Sequence, residues 1–209
     1  MKRTIVTLTA LLALGYGVSA GAQTKPKPKA KAAGATTSAA DLVKIQEALS
    51  AAPADIRKGA MVMDWPATEG GQTKMLRNVA NGWVCMPATP APKGALGLDP
   101  MCLDKTFSDW AQAFMAHKDP PVPTTVGVAY MLRGDRGASN TDPMATAPMA
   151  DNHWVVSGAH VMMIVPNAAQ LDALPTDPAN GGPWVMWKGT KYAHLMVPTA
   201  AMPKTAAKK

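Results

Sequence analysis

The sequence is poor in the residues and motifs that mark common active sites. Its 209 residues include two cysteines, four histidines and two phenylalanines. It has no H-E-x-x-H sequence and no cluster of cysteine and histidine, so a zinc site of the usual kinds is not indicated. It also has no G-x-S-x-G sequence, which is typical of many serine hydrolases. We therefore expect a protein without a recognisable catalytic motif.

Long apolar runs are missing too, apart from a short one at the N-terminus. The positive pair Lys2-Arg3 precedes a mostly apolar segment at 4–16, and small residues at 18–22 offer cleavage sites before 21 and before 23. This three-part pattern predicts a secretory signal peptide at 1–22. The apolar segment is shorter than the roughly 20 residues that span a membrane, and no cysteine follows it for a lipid anchor. We therefore expect a periplasmic or secreted protein with no transmembrane segment in the mature chain.

A basic surface is lacking once the charges are located. The formal net charge is +7, but nine of the 21 basic residues lie in the signal segment or near the two ends: Lys2, Arg3, Lys25, Lys27, Lys29, Lys31, Lys204, Lys208 and Lys209. Twelve basic residues then remain against 14 acidic ones, so residues 40–203 carry about −2 and nucleic-acid binding is not indicated. The cationic ends could make weak contacts with anionic components of the cell envelope, or serve only as solubilising spacers.

The two cysteines, Cys85 and Cys102, enclose 16 residues that are rich in proline and glycine. They are not spaced as C-x-x-C, the spacing typical of redox-active pairs. In an exported protein such a pair predicts a structural disulfide, and closing the loop would stabilise the fold by about 3 kcal/mol. A metal-binding or redox role is the alternative.

The rest of the chain divides into a linker, one domain and a tail. Residues 23–38 are rich in Lys, Pro and Ala, which favours an extended, flexible linker. Residues 39–198 are enough for a single domain with a hydrophobic core. Residues 199–209 form a basic tail that we expect to be disordered. Strands and helices do not alternate regularly, so we predict an α+β domain with a largely antiparallel sheet and two to three helices.

Two helices are indicated by capping boxes that precede apolar residues at helical spacing. The first begins with Ser38 and Asp41, and the second with Thr106 and Asp109. The apolar residues are Leu42, Ile45 and Leu49 in the first helix, and Phe107, Trp110, Ala111, Phe114 and Met115 in the second.

Short strands, each bounded by turn-forming residues, make up most of the remaining domain. The predicted strands lie at 60–65, 73–79, 83–86, 126–132, 154–165 (divided near Gly158), 184–188 and 191–197. Asn81-Gly82 and Gly189-Thr190 predict hairpins between the strands that flank them. The polar segment 138–152 has the length of loops that are often functional or mobile.

A short near-repeat is the most specific indication of a ligand site. Ala159-His160-Val161-Met162 is similar to Ala193-His194-Leu195-Met196. Residues two apart on a strand share a face, so each strand would present its histidine and methionine together. If the strands pair, His160, Met162, His194 and Met196 could form a copper site, for Cu(I) especially. Methionine is also a common core residue, so these side chains could instead have a structural role.

A hydrolase site is a further alternative. Ser157 lies between His153 and His160, and Ser139 lies in the polar loop close to Asp135. Either serine could in principle belong to a Ser-His-Asp arrangement, although no local motif supports one.

Six of the 11 aromatic residues are tryptophans: Trp65, Trp83, Trp110, Trp154, Trp184 and Trp187. On a regular strand Trp184 and Trp187 would lie on opposite faces, so one could be in the core while the other is exposed. An exposed tryptophan beside polar loops suits the binding of a sugar, peptidoglycan or an apolar ligand. The alternative is that all six are structural.

Several segments, spread over most of residues 60–198, carry a resemblance. They are Val62-Met63-Asp64-Trp65, Asn81-Gly82-Trp83-Val84-Cys85, Asp99-Pro100-Met101-Cys102-Leu103-Asp104, Ser139-Asn140-Thr141-Asp142-Pro143, and Gly182-Pro183-Trp184-Val185-Met186-Trp187 through Ala193-His194-Leu195-Met196-Val197-Pro198. In these segments the chain resembles an uncharacterised family of secreted proteins, mostly from proteobacteria. The resemblance implies secretion and supports the domain boundaries, but it brings no activity and no catalytic residue.

We therefore expect an exported, non-catalytic binding domain or a domain associated with the cell envelope. The alternatives are a copper-binding or other metal-binding protein that uses the paired His-x-Met strands, and a hydrolase with an unrecognised site.

Overall fold

The computed structural model describes residues 37–68, 71–89 and 99–201. The predicted signal peptide, the linker up to residue 36 and the tail from residue 202 lie outside these described residues. The described chain forms an α+β domain with three helices, a mostly antiparallel sheet of eight strands and a separate sheet of two strands, as predicted. Within these ranges, no helix has the length and apolar character that crossing a membrane requires.

The helices are α1 (Ala39–Leu49), α2 (Ala54–Gly59) and α3 (Lys105–Met115). The strands are β1 (Met61–Asp64), β2 (Lys74–Arg77), β3 (Val84–Met86), β4 (Met101–Leu103), β5 (Gly127–Met131), β6 (Ala138–Ser139), β7 (Trp154–Val155), β8 (His160–Ile164), β9 (Trp184–Met186) and β10 (His194–Pro198). Two 3₁₀ turns, Ala168–Leu171 and Pro178–Asn180, precede β9. The larger sheet has the order β2-β1-β3-β4-β5-β8-β10-β9, and β6 pairs with β7.

The larger sheet separates two hydrophobic cores. Consecutive strand residues point to opposite faces, and the neighbours Cys102 and Leu103 of β4 accordingly belong to different cores. One core lies beneath α1 and α2 and is built largely from alanines and the two cysteines. The other lies beneath α3, where Phe107 and Trp110 pack on the sheet, and it contains most of the buried aromatic side chains. The predicted site residues lie on this second face.

The two long helices are capped by side-chain oxygens. Ser38 caps α1 as predicted, and its Oγ accepts a hydrogen bond from the Asp41 N–H at 3.0 Å. The cap of α3 is Asp104 and not the predicted Thr106. One carboxylate oxygen of Asp104 accepts from the Phe107 N–H at 2.7 Å, and the other accepts from the Val128 N–H at 2.8 Å. The cap therefore also joins α3 to β5.

The close packing of α3 on the sheet depends on Gly127. A Cβ atom placed there would lie 2.7 Å from Cγ1 of Ile164 on β8 and 3.0 Å from the backbone nitrogen of Phe107 in α3. Contacts below 3.0 Å force neighbouring atoms to shift. Position 127, where α3, β5 and β8 meet, therefore requires glycine.

The hairpin that Asn81-Gly82 predicts is not formed. Strands β2 and β3 both pair with β1, on its two sides, and β1 with β3 is a parallel pair. The Asn81 side chain instead donates to the Ile56 carbonyl oxygen of α2 at 2.8 Å, which holds the turn against a helix. Helix α2, which follows Pro53 directly, has no counterpart in the predicted elements.

The second predicted hairpin is confirmed, since β9 and β10 pair antiparallel across Gly189-Thr190.

The segment 138–152 is held by two buried side chains. The Ser139 Oγ donates to the Asn152 carbonyl oxygen at 2.6 Å and accepts from the Asp142 N–H at 2.8 Å. The Asn152 amide donates to the Ala147 carbonyl oxygen at 2.8 Å. The predicted loop is therefore a hydrogen-bonded element that contains β6.

The predicted disulfide is present between Cys85 and Cys102. The two residues are directly opposite on β3 and β4, with their Cα atoms 4.0 Å apart. Both are fully buried in the core beneath α1. The bridge therefore links two adjacent strands at a point that solvent does not reach.

Candidate functional site

The two predicted His-x-Met segments form the neighbouring strands β8 and β10. The strands are antiparallel, with Met162 opposite Met196 and His160 opposite Pro198. Directly opposed residues share a face, as do residues two apart on one strand. His160, Met162, His194 and Met196 therefore all lie on one face, and both methionines pack in the core beneath α3.

The register brings the two thioethers together and keeps the two imidazoles apart. His160 precedes Met162 by two residues, and His194 precedes Met196 by two residues on a strand of opposite direction. The Cα atoms of the two histidines therefore lie on either side of the methionine pair, roughly 13 Å apart along the strands at 3.3 Å per residue. Among the described residues, no three His, Cys, Asp or Glu side chains are grouped so that they could hold a metal ion.

Both imidazoles are buried and hydrogen-bonded through one nitrogen only. The Nδ1 atom of His160 lies 2.7 Å from the Gly158 carbonyl oxygen, and that of His194 lies 3.0 Å from the Tyr192 carbonyl oxygen. A carbonyl oxygen only accepts, so Nδ1 carries a proton in each ring, and in a neutral ring Nε2 then keeps its lone pair. Both Nε2 atoms are buried without a hydrogen-bond partner. Burial lowers the pKa of His194 to about 4, the Tyr192 carbonyl opposes this shift, and His160 adds to it.

Aromatic rings surround His194. Its ring centroid lies 5.5 Å from that of Trp110 and 4.9 Å from that of Trp187, both in edge-on geometry. Trp184 is opposite Met196 on β9, so it shares this face, and its Nε1 is also buried without a partner. The face thus holds three buried ring nitrogens without a hydrogen bond, in an apolar setting that favours a neutral imidazole.

Trp184 and Trp187 are both buried, with 0% and 9% of their surface exposed. For these two residues the structure therefore agrees with the alternative that the tryptophans are structural. Regular strand geometry ends at Met186, and Trp187 has a left-handed backbone with φ of 56°. The Trp187 Nε1 donates to the Ser139 carbonyl oxygen at 2.7 Å, and the ring joins the same core as Trp184.

The serines considered for a hydrolase are not arranged as in a Ser-His-Asp triad. The Asp135 carboxylate accepts from the Ser157 backbone N–H at 2.7 Å, while the His160 Nδ1 faces the Gly158 carbonyl. Asp135 therefore does not orient this imidazole. Burial raises the pKa of Asp135, and the Ser157 N–H and the His160 charge oppose that rise. The Ser139 hydroxyl is fully engaged in the loop described above.

A surface cleft of 780 Å³ lies between the small sheet and the second 3₁₀ turn. Its lining residues are Asn140, Thr141, His153, Trp154, Val155, Val156, Thr176, Asp177, Pro178, Ala179 and Lys188. Trp154 is a half-buried lining residue whose indole packs against Gly137, while His153 and Lys188 are exposed. Of these residues, the sequence pointed to His153 and Trp154 individually, and to Asn140 and Thr141 as part of the segment 138–152. The opposite wall comes from a turn-rich segment whose position in space no motif revealed.

Asn140 fixes the walls of this cleft relative to one another. Its side-chain amide donates to the Thr176 carbonyl oxygen at 2.8 Å, and its own carbonyl accepts from the Trp187 N–H at 2.9 Å. Its N–H donates to the His153 carbonyl oxygen at 3.0 Å. His153 has a left-handed backbone with φ of 45°, a conformation that costs energy for a residue other than glycine. A buried asparagine and a strained rim residue therefore define a preformed cleft.

The two charged side chains of the cleft already have local partners. The Lys188 ammonium donates to the Asp172 carbonyl oxygen at 2.7 Å and to the Leu174 carbonyl oxygen at 3.1 Å. The Asp177 carboxylate accepts from the Ala179 N–H at 2.8 Å. Neither charge requires an oppositely charged ligand.

The chain matches no protein-family model, no curated protein and no solved structure. The interpretation of both sites therefore rests on their own geometry.

Proposed function

We propose that the chain is an exported, non-catalytic binding domain whose ligand occupies the cleft beside Trp154. The observation that carries this proposal is a cleft of 780 Å³ that combines one aromatic wall with a rim of polar groups. Ligand sites commonly have volumes of about 300–1,000 Å³ and the same mixture of apolar walls and few polar groups. The hydrogen bonds of Asn140 support a site that is formed before the ligand binds.

The ligand that fits these walls is neutral and rich in hydroxyl or amide groups, with one apolar face. The Trp154 ring offers a flat surface, and Val155 and Val156 extend it. Tryptophan combines a large apolar surface with an N–H donor, which suits sugar rings. Lys188 and Asp177 each hydrogen-bond to backbone groups of the chain, so neither side chain needs a strongly charged ligand as a partner. The neutral N-acetylated sugar units of the peptidoglycan glycan, or of another oligosaccharide of the envelope, have this chemistry.

Export of the chain is part of the proposal. The disulfide between Cys85 and Cys102 supports it, because disulfides persist in oxidising compartments such as the periplasm and the extracellular space. Mass spectrometry of the protein from fractionated cells would test this step. We expect a mature N-terminus at residue 21 or 23 and no free thiol. An unprocessed N-terminus with two free thiols would contradict export.

Calorimetric titration with soluble peptidoglycan fragments and with N-acetylglucosamine oligomers tests the ligand. We expect binding that Trp154→Ala weakens about fivefold, because loss of the ring contact costs about 1 kcal/mol. Trp83→Ala is the matched control. Trp83 is also half-buried, but it packs against Tyr130 in the other core. Absence of binding to either class of probe, or equal binding by the Trp154 variant, would contradict the proposal.

A further inference from the structure

The centre of the β8–β10 pair holds two thioethers in close contact range. The Thr199 N–H donates to the Ala159 carbonyl oxygen, so Ala159 and Thr199 form a hydrogen-bonded pair. Along antiparallel strands such pairs alternate with pairs that are not hydrogen-bonded. By this alternation Met162 and Met196 form a non-hydrogen-bonded pair. In such pairs the Cα atoms lie about 4.5 Å apart and the side chains approach most closely. The sulfur atoms of Met162 and Met196 can therefore reach a common point.

An imidazole with a free lone pair lies on each side of this pair. Both Nε2 atoms are buried and have no hydrogen-bond partner, while both Nδ1 protons are held by carbonyl oxygens. This arrangement is the one that metal-binding histidines show, because the bond at Nδ1 fixes the ring and the tautomer. An unpartnered buried polar atom is unfavourable, so two of them beside the methionine pair point to a ligand.

The neighbouring strands add further soft donors and no carboxylate to this face. Met131 of β5 lies opposite His160, and Met186 of β9 lies opposite His194. Ala129 of β5 lies opposite Met162, and Trp184 of β9 lies opposite Met196. Hard cations such as Mg²⁺ and Ca²⁺ need oxygen ligands, whereas thioether and imidazole donors select Cu(I). A monovalent ion is also the easiest one to accommodate in an apolar, aromatic setting.

We propose that Met162 and Met196 bind one Cu(I) ion through their sulfur atoms, and that the Nε2 atom of His160 or His194 completes the coordination. The roughly 13 Å between the two histidines along the strands means that one imidazole at a time serves as ligand. Met162 is half-buried while the other three side chains are buried, so it is the donor nearest to solvent. The ion therefore reaches the pair from the side of Met162. This site is separate from the cleft and does not depend on the proposed ligand there.

Competition for Cu(I) between the purified protein and bathocuproine disulfonate, with ascorbate present, tests the proposal. We expect one ion per chain, and we expect Met162→Leu or Met196→Leu to weaken binding at least about 100-fold, because each removes a ligand. Leucine has nearly the volume of methionine, so these variants are expected to fold, which their circular dichroism checks. At least one of His160→Leu and His194→Leu is also expected to weaken binding.

Two variants provide the controls. Met163→Leu changes a methionine of β8 on the opposite face, and His117→Ala changes an exposed histidine that follows α3. Both are expected to bind Cu(I) as the unaltered protein does. X-ray absorption of the copper-loaded protein should show two sulfur ligands and one nitrogen ligand.

Several results would overturn the proposal. They are the absence of Cu(I) binding, unchanged affinity in both methionine variants, and unchanged affinity in both histidine variants. A loss of binding in Met131→Leu or Met186→Leu, with binding retained in the Met162 and Met196 variants, would also overturn it by placing the ion elsewhere on this face.

Discussion

Cys85 and Cys102 face each other on adjacent strands, with their Cα atoms 4.0 Å apart and helix α1 above them. The bridge closes a loop of 17 residues in sequence separation, and it lies in a core made mostly of alanines. Small side chains contribute little apolar surface, so this half of the domain relies on the bridge more than the half beneath α3 does.

The double variant Cys85→Ala/Cys102→Ala is therefore expected to lose about 3 kcal/mol of unfolding free energy, within a usual range of about 2–4 kcal/mol. Urea unfolding followed by circular dichroism measures this loss. Because both sulfur atoms are buried, the folded protein should also react slowly with a thiol reductant in the absence of urea. If this variant is as stable as the unaltered protein, side-chain packing alone is enough to hold α1 against the sheet, and the bridge is not needed for it.

His194 is expected to make the metal-free protein sensitive to acid. Its pKa falls from 6.5 to about 4 on folding because burial disfavours the charged ring. A base with a lowered pKa binds fewer protons in the folded state, so its contribution is full above pH 6.5 and is lost as the pH falls towards about 4. The loss is at most about 3 kcal/mol, at 1.36 kcal/mol per pKa unit.

Thermal unfolding between pH 7 and pH 4 checks this dependence. His194→Leu should show a weaker dependence of stability on pH than the unaltered protein. The substitution removes the contribution of His194, while the carboxylates contribute equally in the two proteins. His117→Gln, at an exposed position, should keep the steeper profile. Parallel profiles for the unaltered protein and His194→Leu would refute the expected role.

Gly127 is expected not to tolerate a methyl group. Gly127→Ala would force Ile164 and the first turn of α3 apart, since the added atom lies 2.7 Å from the isoleucine side chain. Overpacking of this kind costs about 1–3 kcal/mol, which chemical denaturation can measure. Gly182→Ala is the control, because its nearest neighbour would be the Asn180 side-chain oxygen at 3.3 Å. Equal stability of the two variants would mean that α3 shifts without cost.

Ser139 is expected to hold the loop 138–152 in place. Ser139→Ala removes the acceptor for the Thr141 and Asp142 N–H groups and the donor to the Asn152 carbonyl oxygen. Loss of these buried bonds should cost about 1–3 kcal/mol and speed amide hydrogen exchange in the loop.

Ser108→Ala provides the comparison for this prediction. The Ser108 hydroxyl in α3 is buried without a partner, so the change should be neutral or stabilising. Unchanged exchange rates in the loop of Ser139→Ala would show that the backbone holds it without the hydroxyl.

The sequence predicted those helices and hairpins that depend only on residues close together in the chain. The helical spacing of Phe107 and Trp110 predicted α3, and Gly189-Thr190 predicted the β9–β10 hairpin. Asn81-Gly82 forms a turn, but the hairpin is missing because both flanking strands pair with β1 instead. That choice depends on contacts between distant segments, which local turn residues do not encode.

The same division applies to the candidate sites. The spacing of two residues placed each histidine on the same face as its methionine, as the strands show. The register of β8 against β10, which pairs Met162 with Met196 and separates the imidazoles, is a tertiary property. The cleft depends on Asn140 joining three segments, and no periodicity in any one of them indicates this.

Strand β10 follows every other strand of the described residues but occupies an interior position, between β8 and β9. Because β8 and β9 do not pair with each other, β9 joins the larger sheet only through β10. A chain shortened before residue 194 would therefore leave β9 without a strand neighbour.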